Sequence, residues 1–256
     1  MNRIDSVFLH KQKGILSVYL TAGYPELEDT LPLITELDKA GVDMIEIGMP
    51  FSDPLADGPV LQGCNQRAIE NGMTLKKLFE QLKDVRKDVN IPLILMGYLN
   101  PVLNFRVGAF CRQARDCGMD GVILPDLPVQ EYEQKYRGHF EDCGLHMIFL
   151  ITPQTPEERL RRIAAASKGF IYTVSAASTT GIKKGIDEHQ LDYFQKIRDL
   201  DLGLPRMIGF GISSGESFRM ACEYADGAII GSAFMKHLTG EGTLNEKVSA
   251  FVEQIR

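Results

Sequence analysis

The chain has 256 residues, of which 44% are hydrophobic and 24% charged, and its net charge is −6. This composition is typical of an ordinary soluble globular protein, and the absence of a basic stripe argues against a nucleic-acid partner or an anionic membrane surface. The polar N-terminus and the lack of an apolar run near the roughly 18 residues that span a bilayer predict a cytoplasmic protein with no signal peptide or anchor.

Eight short, largely β-branched apolar runs recur along the chain, and continuous apolar character favours parallel strands that are covered on both faces. The predicted strands are Ile15–Leu20, Met44–Gly48, Pro92–Gly97, Gly121–Leu124, His146–Ile151, Phe170–Val174, Met207–Gly211 and Gly227–Gly231.

Stretches with helical periodicity separate these runs at the spacing that a strand–helix–strand crossover needs. The predicted helices are Leu27–Ala40, Leu75–Val89, Val102–Cys117, Val129–Cys143, Pro156–Ser167, His189–Asp199 and Leu244–Arg256. Two sequences, Thr155-Pro-Glu-Glu158 and Ser213-Ser-Gly-Glu216, have a hydroxyl residue three positions before a glutamate. This pattern predicts capped helix N-termini.

Alternation of strands and helices over the whole length predicts a (β/α)8 TIM barrel formed by one domain, residues 1–256. In such a barrel the active site lies at the carboxyl ends of the strands. The Pro-rich segment Met49–Pro59, the small-residue segment Ser175–Gly185 and the glycines near the C-terminus all follow strands. We therefore expect these three connections to surround the active site.

The scattered cysteines and histidines do not form a recognisable metal or disulfide pattern. There are five of each, with no C-x-x-C pair and no H-E-x-x-H motif. Reduced, buried or half-buried structural thiols and no metal site are therefore expected. The cysteines are Cys64, Cys111, Cys117, Cys143 and Cys222.

Glycines after the seventh and eighth predicted strands indicate a phosphate site. Gly209-Phe-Gly211-Ile-Ser213 ends one strand, and Gly231-Ser232 ends the next, with a short helix expected to open at Ser232. Glycines allow backbone N–H groups to approach an anion, and a helix N-terminus favours negative charge. The alternative is that these glycines only relieve crowding at the strand ends.

Glu46 lies within the apolar run Met44–Gly48, and strand alternation directs it into the barrel. Burial raises a carboxyl pKa toward the range in which one group can both donate and accept a proton. The alternative is a structural ion pair with a cation from another strand.

The loop Pro50-Phe-Ser-Asp53-Pro-Leu-Ala-Asp57-Gly-Pro59 contains two aspartates between three prolines. A stiff loop can hold a carboxylate over a pocket, although either aspartate could simply form a turn. Tyr172 lies on the sixth strand, before a segment without bulky side chains that could be a mobile lid or an ordinary flexible loop.

The uninterrupted sequence Glu46-Ile-Gly-Met-Pro-Phe-Ser-Asp-Pro-Leu-Ala-Asp-Gly-Pro59 resembles the signature of the tryptophan synthase alpha chains, and the resemblance extends over almost the whole chain. It implies a barrel lyase that cleaves indole-3-glycerol phosphate into indole and glyceraldehyde 3-phosphate by a retro-aldol reaction. The catalytic positions of the family fall on Glu46 and Asp57, and its strand-six tyrosine falls on Tyr172.

The same resemblance assigns the substrate-binding positions. The aromatic side chain beside the indole pocket falls on Tyr19, where many relatives have phenylalanine. The lid threonine falls on Thr180, and the remaining positions contact the phosphate: Gly181, Gly211, Gly231 and Ser232. The lid sequence departs from the arginine-containing sequence of many relatives.

The partner implied by the resemblance is a beta chain that holds pyridoxal phosphate, in an α2β2 tetramer; the alpha chain itself is expected to bind no cofactor. Three alternatives remain open at the level of the sequence. They are another barrel enzyme acting on a phosphorylated substrate, a non-catalytic barrel that activates a partner, and a lyase that releases indole without a beta chain.

Overall fold

A computed structural model describes residues 1–174, 188–209 and 211–256. Thr180 and Gly181, with the rest of the Ser175–Gly185 segment, and Phe210 in the glycine motif lie outside the described residues. The described strands form one parallel sheet. They are β1 Ile15–Thr21, β2 Met44–Gly48, β3 Leu93–Met96, β4 Gly121–Ile123, β5 His146–Ile148, β6 Leu150–Ile151, β7 Ile171–Val174, β8 Arg206–Gly209 and β9 Gly227–Ile230.

The sheet closes on itself as the expected (β/α)8 TIM barrel. Its order is β5-β4-β3-β2-β1-β9-β8-β7-β6, and β5 and β6 are two halves of the predicted fifth strand, separated by Phe149. The first half pairs with β4 and the second half with β7. The continuous segment that contains β5 and β6 therefore joins the first and last strands of the sheet and completes the ring.

Helices surround this ring, in agreement with the alternating pattern of the sequence. They are α1 Arg3–His10, α2 Thr30–Lys39, α3 Pro59–Glu70, α4 Leu75–Leu82, α5 Leu99–Phe105, α6 Val107–Asp116, α7 Val129–Glu131, α8 Arg137–Glu141, α9 Glu157–Ala166, α10 Glu188–Asp199, α11 Gly215–Tyr224, α12 Ser232–His237 and α13 Leu244–Ile255. Short 3-10 turns at Leu27–Asp29 and Val85–Lys87 and a π-helical turn at Tyr132–Tyr136 extend the layer. No helix in the described part of the chain has the length and apolar character needed to cross a bilayer.

Several helix predictions were incomplete. The sequence did not predict α1 or α3, and the expected helix Val102–Cys117 is two helices. Arg106 separates them with a φ of 70°, a conformation that side-chain periodicity does not reveal.

The two predicted cap positions were also wrong by one residue. Pro156, not Thr155, is the N-cap of α9, because the Thr155 hydroxyl instead accepts a hydrogen bond from the Thr152 N–H. At α11 the capping box is formed by Ser214 and Ser217. At α9 the hydroxyl of the expected cap residue binds Thr152 instead, and at α11 the neighbouring Ser214 is the cap residue in place of Ser213.

Helix α1 covers the amino ends of the strands. Its Ile4 is fully buried, and the Asn2 side chain donates to the Asp120 carbonyl at 2.8 Å. Asp5 contacts His146 at 2.9 Å at the start of β5. This helix closes the end of the barrel opposite to the carboxyl ends, where the predicted site residues lie.

Candidate active site

Glu46 lies inside the barrel, as strand alternation predicts. It is the third residue of β2, pairs in register with Tyr19 of β1, and is 0% exposed. The Ser17 hydroxyl donates to its Oε1 at 3.3 Å, while Oε2 has no hydrogen-bond partner among the described residues. No described cation forms a salt bridge with this carboxyl, so the described residues give no support to the ion-pair alternative.

Burial dominates the protonation of Glu46. Removal from water disfavours the carboxylate and raises the pKa to about 8, and the hydrogen bond from Ser17 only partly opposes this effect. At neutral pH the group therefore carries a proton that it can give away. After losing that proton it becomes a base close to neutrality.

The structure distinguishes the two aspartates of the loop that follows β2. Asp53 is exposed, whereas Asp57 is only 9% exposed. Burial raises the pKa of Asp57 to about 6, opposed by a hydrogen bond from Tyr98. Asp57 is thus largely ionised at neutral pH, in contrast to Glu46.

Two side chains that the sequence analysis did not identify hold this loop in place. The Tyr98 hydroxyl accepts a hydrogen bond from the Ala56 N–H at 2.9 Å, and its ring lies 5.2 Å from that of Phe51. Asn65, buried on α3, accepts from the Phe51 N–H at 3.2 Å. Tyr98 directly follows the third predicted strand, a position that could have indicated it.

Two tyrosines reach the same interior space. Tyr19 and Tyr172 are 6% and 4% exposed, and burial raises the pKa of both phenols. The nearby Glu46 and Asp57 carboxyls raise both pKa values further. Because β7 and β2 are far apart around the ring, the proximity of Tyr172 to Glu46 means that both point into the barrel.

Glycines make room for these phenols. A side chain at Gly48 would collide with the Tyr19 hydroxyl, and one at Gly209 would collide with the Tyr172 hydroxyl. Gly209 was predicted as part of the phosphate motif, but its environment shows that it leaves space for Tyr172. For this one glycine the crowding alternative is therefore the better description.

The other predicted phosphate positions follow the carboxyl ends of the neighbouring strands β8 and β9. Gly211 has a φ of 80°, which favours glycine. Gly231 is the N-cap of α12, lies against the Tyr19 ring, and is followed by Ser232 as the first helical residue. No side-chain cap forms at this helix start among the described residues, so its first N–H groups can face an anion.

These groups combine acid–base chemistry with anion binding at one end of the barrel. A neutral acid at Glu46, an ionised base at Asp57 and a small pocket lined by Asp57, Tyr19 and Tyr98 lie beside the start of α12. Within the described ranges no cluster of three or more His, Cys, Asp or Glu could hold a metal ion. The five cysteines carry free thiols and are buried or half-buried.

The chain is similar to known proteins over nearly its full length. The family model described as "Tryptophan synthase alpha chain" matches residues 7–255. A tryptophan synthase alpha chain from Christiangramia forsetii is 53% identical over 256 residues, covering 100% of this chain and 99% of the relative. One from Flavobacterium psychrophilum is 54% identical over 255 residues, covering 100% of both chains.

Solved structures give the same result. The tryptophan synthase subunit alpha of Legionella pneumophila superposes with a TM-score of 0.89 at 32% identity, covering 100% of this chain and 97% of that structure. A chain of the aminoacrylate-bound tryptophan synthase of M. tuberculosis superposes with a TM-score of 0.87 at 29% identity, covering 100% of this chain and 98% of that chain.

Proposed function

The chain belongs to the tryptophan synthase alpha chain family, and we propose that Glu46 and Asp57 perform the proton transfers of the reaction that this family catalyses. The enzyme is a carbon–carbon lyase of tryptophan biosynthesis that cleaves indole-3-glycerol phosphate. The observation that carries the proposal is a fully buried glutamate with one oxygen unpaired among the described residues, inside a TIM barrel.

Glu46 acts first as an acid and then as a base. Its carboxylic acid gives a proton to the indole carbon that bears the glycerol chain. The resulting carboxylate then takes the proton of the adjacent glycerol hydroxyl, so that the carbon–carbon bond breaks and its electron pair returns to the ring. Glyceraldehyde 3-phosphate and indole form; the proton that Glu46 donated stays on the indole carbon, and the hydroxyl proton returns Glu46 to its protonated state.

Asp57 balances the charge on the ring nitrogen. As the ring carbon is protonated, the Asp57 carboxylate accepts the indole N–H proton, and it returns this proton when the bond breaks. This role needs an ionised group at the start, in agreement with a pKa of about 6 for Asp57 and about 8 for Glu46. Environments that separate two carboxyl pKa values typically assign an acid and a base.

The remaining site residues orient the substrate. Tyr172 and Tyr19 lie beside both carboxyls and flank the indole and glycerol parts. The phosphate is bound by Gly211 and by Gly231 and Ser232 at the start of α12, together with Gly181. The family resemblance also assigns Thr180 to substrate binding.

We further propose that residues 1–256 form one cytoplasmic domain that binds no cofactor of its own. The family has a beta chain as its partner, and we propose that this partner supplies pyridoxal phosphate in an α2β2 tetramer. Three exposed apolar side chains support a partner surface on the carboxyl-end rim: Leu55, Val60 and Leu103 are 86%, 38% and 43% exposed.

The proposal is tested by indole release from indole-3-glycerol phosphate, with and without the beta chain. We expect Glu46→Gln and Asp57→Asn each to lower kcat by about 10²–10⁴-fold, since each removes a proton-transfer group. Glu80→Gln, on the exposed face of α4, is the matched control and is expected to behave as wild type.

Other outcomes of this assay would favour the alternatives. Retained turnover in Glu46→Gln would contradict the assignment and point to a different barrel chemistry. No indole release under any condition would indicate a non-catalytic activator. Full activity without a beta chain, unchanged by its addition, would indicate a stand-alone lyase.

A further inference from the structure

Ser17 is a buried polar residue beside Glu46. It lies on β1, two residues before Tyr19, so that strand alternation places both on the same inner face. Ser17 is 0% exposed, and its hydroxyl donates to Glu46 Oε1 at 3.3 Å. A hydroxyl at such a position needs a partner, because burying it unpaired is costly.

The contact with Ser17 gives the two carboxyl oxygens of Glu46 different hydrogen-bonding environments. Oε1 receives the Ser17 hydroxyl, whereas Oε2 has no partner among the described residues. We propose that Ser17 is a positioning residue for the lyase reaction, which holds Oε1 and leaves Oε2 to exchange protons with the substrate. This inference rests on the proposed role of Glu46 and adds a residue through which that role is controlled.

Among the described residues, the titratable groups that interact with the Glu46 carboxyl are Tyr19 of β1 and Tyr172 of β7. Asp57 interacts with the same two phenols, and the in-register neighbour of Glu46 on β3 is the apolar Ile94. Only Ser17 lowers the pKa of Glu46, while burial raises it. Among the described groups, Ser17 is therefore the one that stabilises the ionised form directly.

The direction of the effect follows from this contact. A hydrogen bond donated to a carboxylate favours the charged form, so its removal raises the pKa of Glu46. Because Glu46 must carry a proton when the reaction begins, activity falls at high pH as this group ionises. Loss of the Ser17 hydroxyl is thus expected to move the basic limb of the pH–rate profile to higher pH.

The experiment compares the pH dependence of indole release by wild type, Ser17→Ala and Ser17→Thr, each assembled with the beta chain. For Ser17→Ala we expect a basic limb shifted upward by about half a pH unit to one unit and a kcat about tenfold lower, with KM unchanged. Ser17→Thr keeps the hydroxyl, so the basic limb of its pH–rate profile is expected at the wild-type pH. Ser167→Ala removes a buried hydroxyl remote from the site, bonded to the Ile163 carbonyl at 2.8 Å, and is the matched control.

Two outcomes would overturn the inference. One is a Ser17→Ala profile that superimposes on wild type. The other is equal loss of activity in both Ser17 variants with an unmoved limb, which would mean that Ser17 only fills space. Glu46→Gln, measured alongside, separates a failure of the proposed function from a failure of the inference about Ser17. If Glu46→Gln remains active, the proposed function fails. If Glu46→Gln is inactive and Ser17→Ala behaves as wild type, only the role of Ser17 is contradicted.

Discussion

The carboxyl groups of Glu46 and Asp57 have different protonation at neutral pH because they differ in burial. Glu46 is 0% exposed on a strand, whereas Asp57 is 9% exposed on a loop and receives a hydrogen bond from Tyr98. Desolvation acts on both, but more strongly on Glu46. The protonation that suits Glu46 to the proposed role of acid, and Asp57 to that of base, is therefore set by where the backbone places each side chain.

This difference predicts a bell-shaped pH dependence of kcat/KM. The productive state has Asp57 ionised and Glu46 protonated, so activity should be greatest between their pKa values of about 6 and about 8. Because the substrate phosphate also titrates near pH 6, kcat should be followed as well on the acid side. A rate that keeps rising well above pH 8 would contradict the assignment of Glu46 as the initial acid.

The buried acid should also reduce stability at alkaline pH. The pKa of Glu46 is raised from 4.5 to about 8 by folding, so its stability contribution is full below pH 4.5 and is lost as pH rises toward 8. The side chain of Glu46→Gln cannot ionise. Between pH 4.5 and pH 8–9 its free energy of unfolding should therefore rise relative to that of wild type by about 4–5 kcal/mol. Urea unfolding at several pH values checks this, and parallel curves for the two proteins would refute it.

The sequence predicted these residues to different extents. The interior position of Glu46 follows from alternation within Met44–Gly48, which is a local property. Asp53 and Asp57 could not be separated on local sequence, because loop burial depends on Asn65 and Tyr98, which come from other elements. Ser17 was not singled out, since its importance lies in a cross-strand contact.

At the scale of elements, three aspartates that directly precede strands link neighbouring strands through hydrogen bonds from their backbone N–H groups. Asp43, Asp120 and Asp226 each directly precede a strand and accept a backbone N–H of the adjacent strand, from Leu16, Leu93 and Arg206 at 2.8–2.9 Å. All three lie at the amino ends of the strands, away from the site. This arrangement stabilises the barrel at the end opposite to the proposed site.

Asp120 is the most buried of the three, and its removal should unfold the barrel more readily. It is 3% exposed and forms salt bridges with Arg86 and Arg3. Asp120→Ala leaves the half-buried Arg86 cation without its carboxylate partner and the Leu93 N–H without its acceptor. We expect this to lower the free energy of unfolding by about 3–5 kcal/mol, while kcat at a permissive temperature is unchanged. Asp116→Ala breaks a pair whose side chains are 50% and 56% exposed, and should cost less than about 1 kcal/mol. Equal losses in both variants would contradict this explanation.

The element boundaries show where periodicity is informative and where it is not. All eight strand cores were predicted, because a buried parallel strand needs a continuous apolar run. Helix α3 was missed because its buried face is interrupted by Asn65, a polar residue that serves the loop. Helix α1 was missed because its contacts are mostly with the distant amino ends of β4 and β5.

At the scale of the whole molecule, the barrel has two ends with different tasks. The amino ends of the strands are covered by α1 and linked by ion pairs. The carboxyl ends carry Glu46, Asp57, the proposed phosphate-binding positions and exposed apolar side chains. Closure of the ring was predictable from eight repeated units. The split of the fifth strand at Phe149 was not, since it depends on pairing with two neighbours at once.

The exposed apolar side chains of the carboxyl-end rim predict the partner surface. Leu103→Ser on α5 should weaken the association with the beta chain about tenfold or more, with little change in the activity of the isolated chain. Leu9→Ser on α1 alters a side chain that is 66% exposed near the other end, and is the control. Titration calorimetry with the beta chain measures both, and equal affinities for the two variants would argue against this surface.

The most direct test is the ionisation of Glu46 itself, followed by infrared difference spectra between wild type and Glu46→Gln as a function of pH. We expect a protonated carboxyl signal that persists through neutral pH and disappears near pH 8. Disappearance of this signal near the ordinary glutamate pKa of 4.5 would contradict the claim that burial supplies the enzyme with its acid.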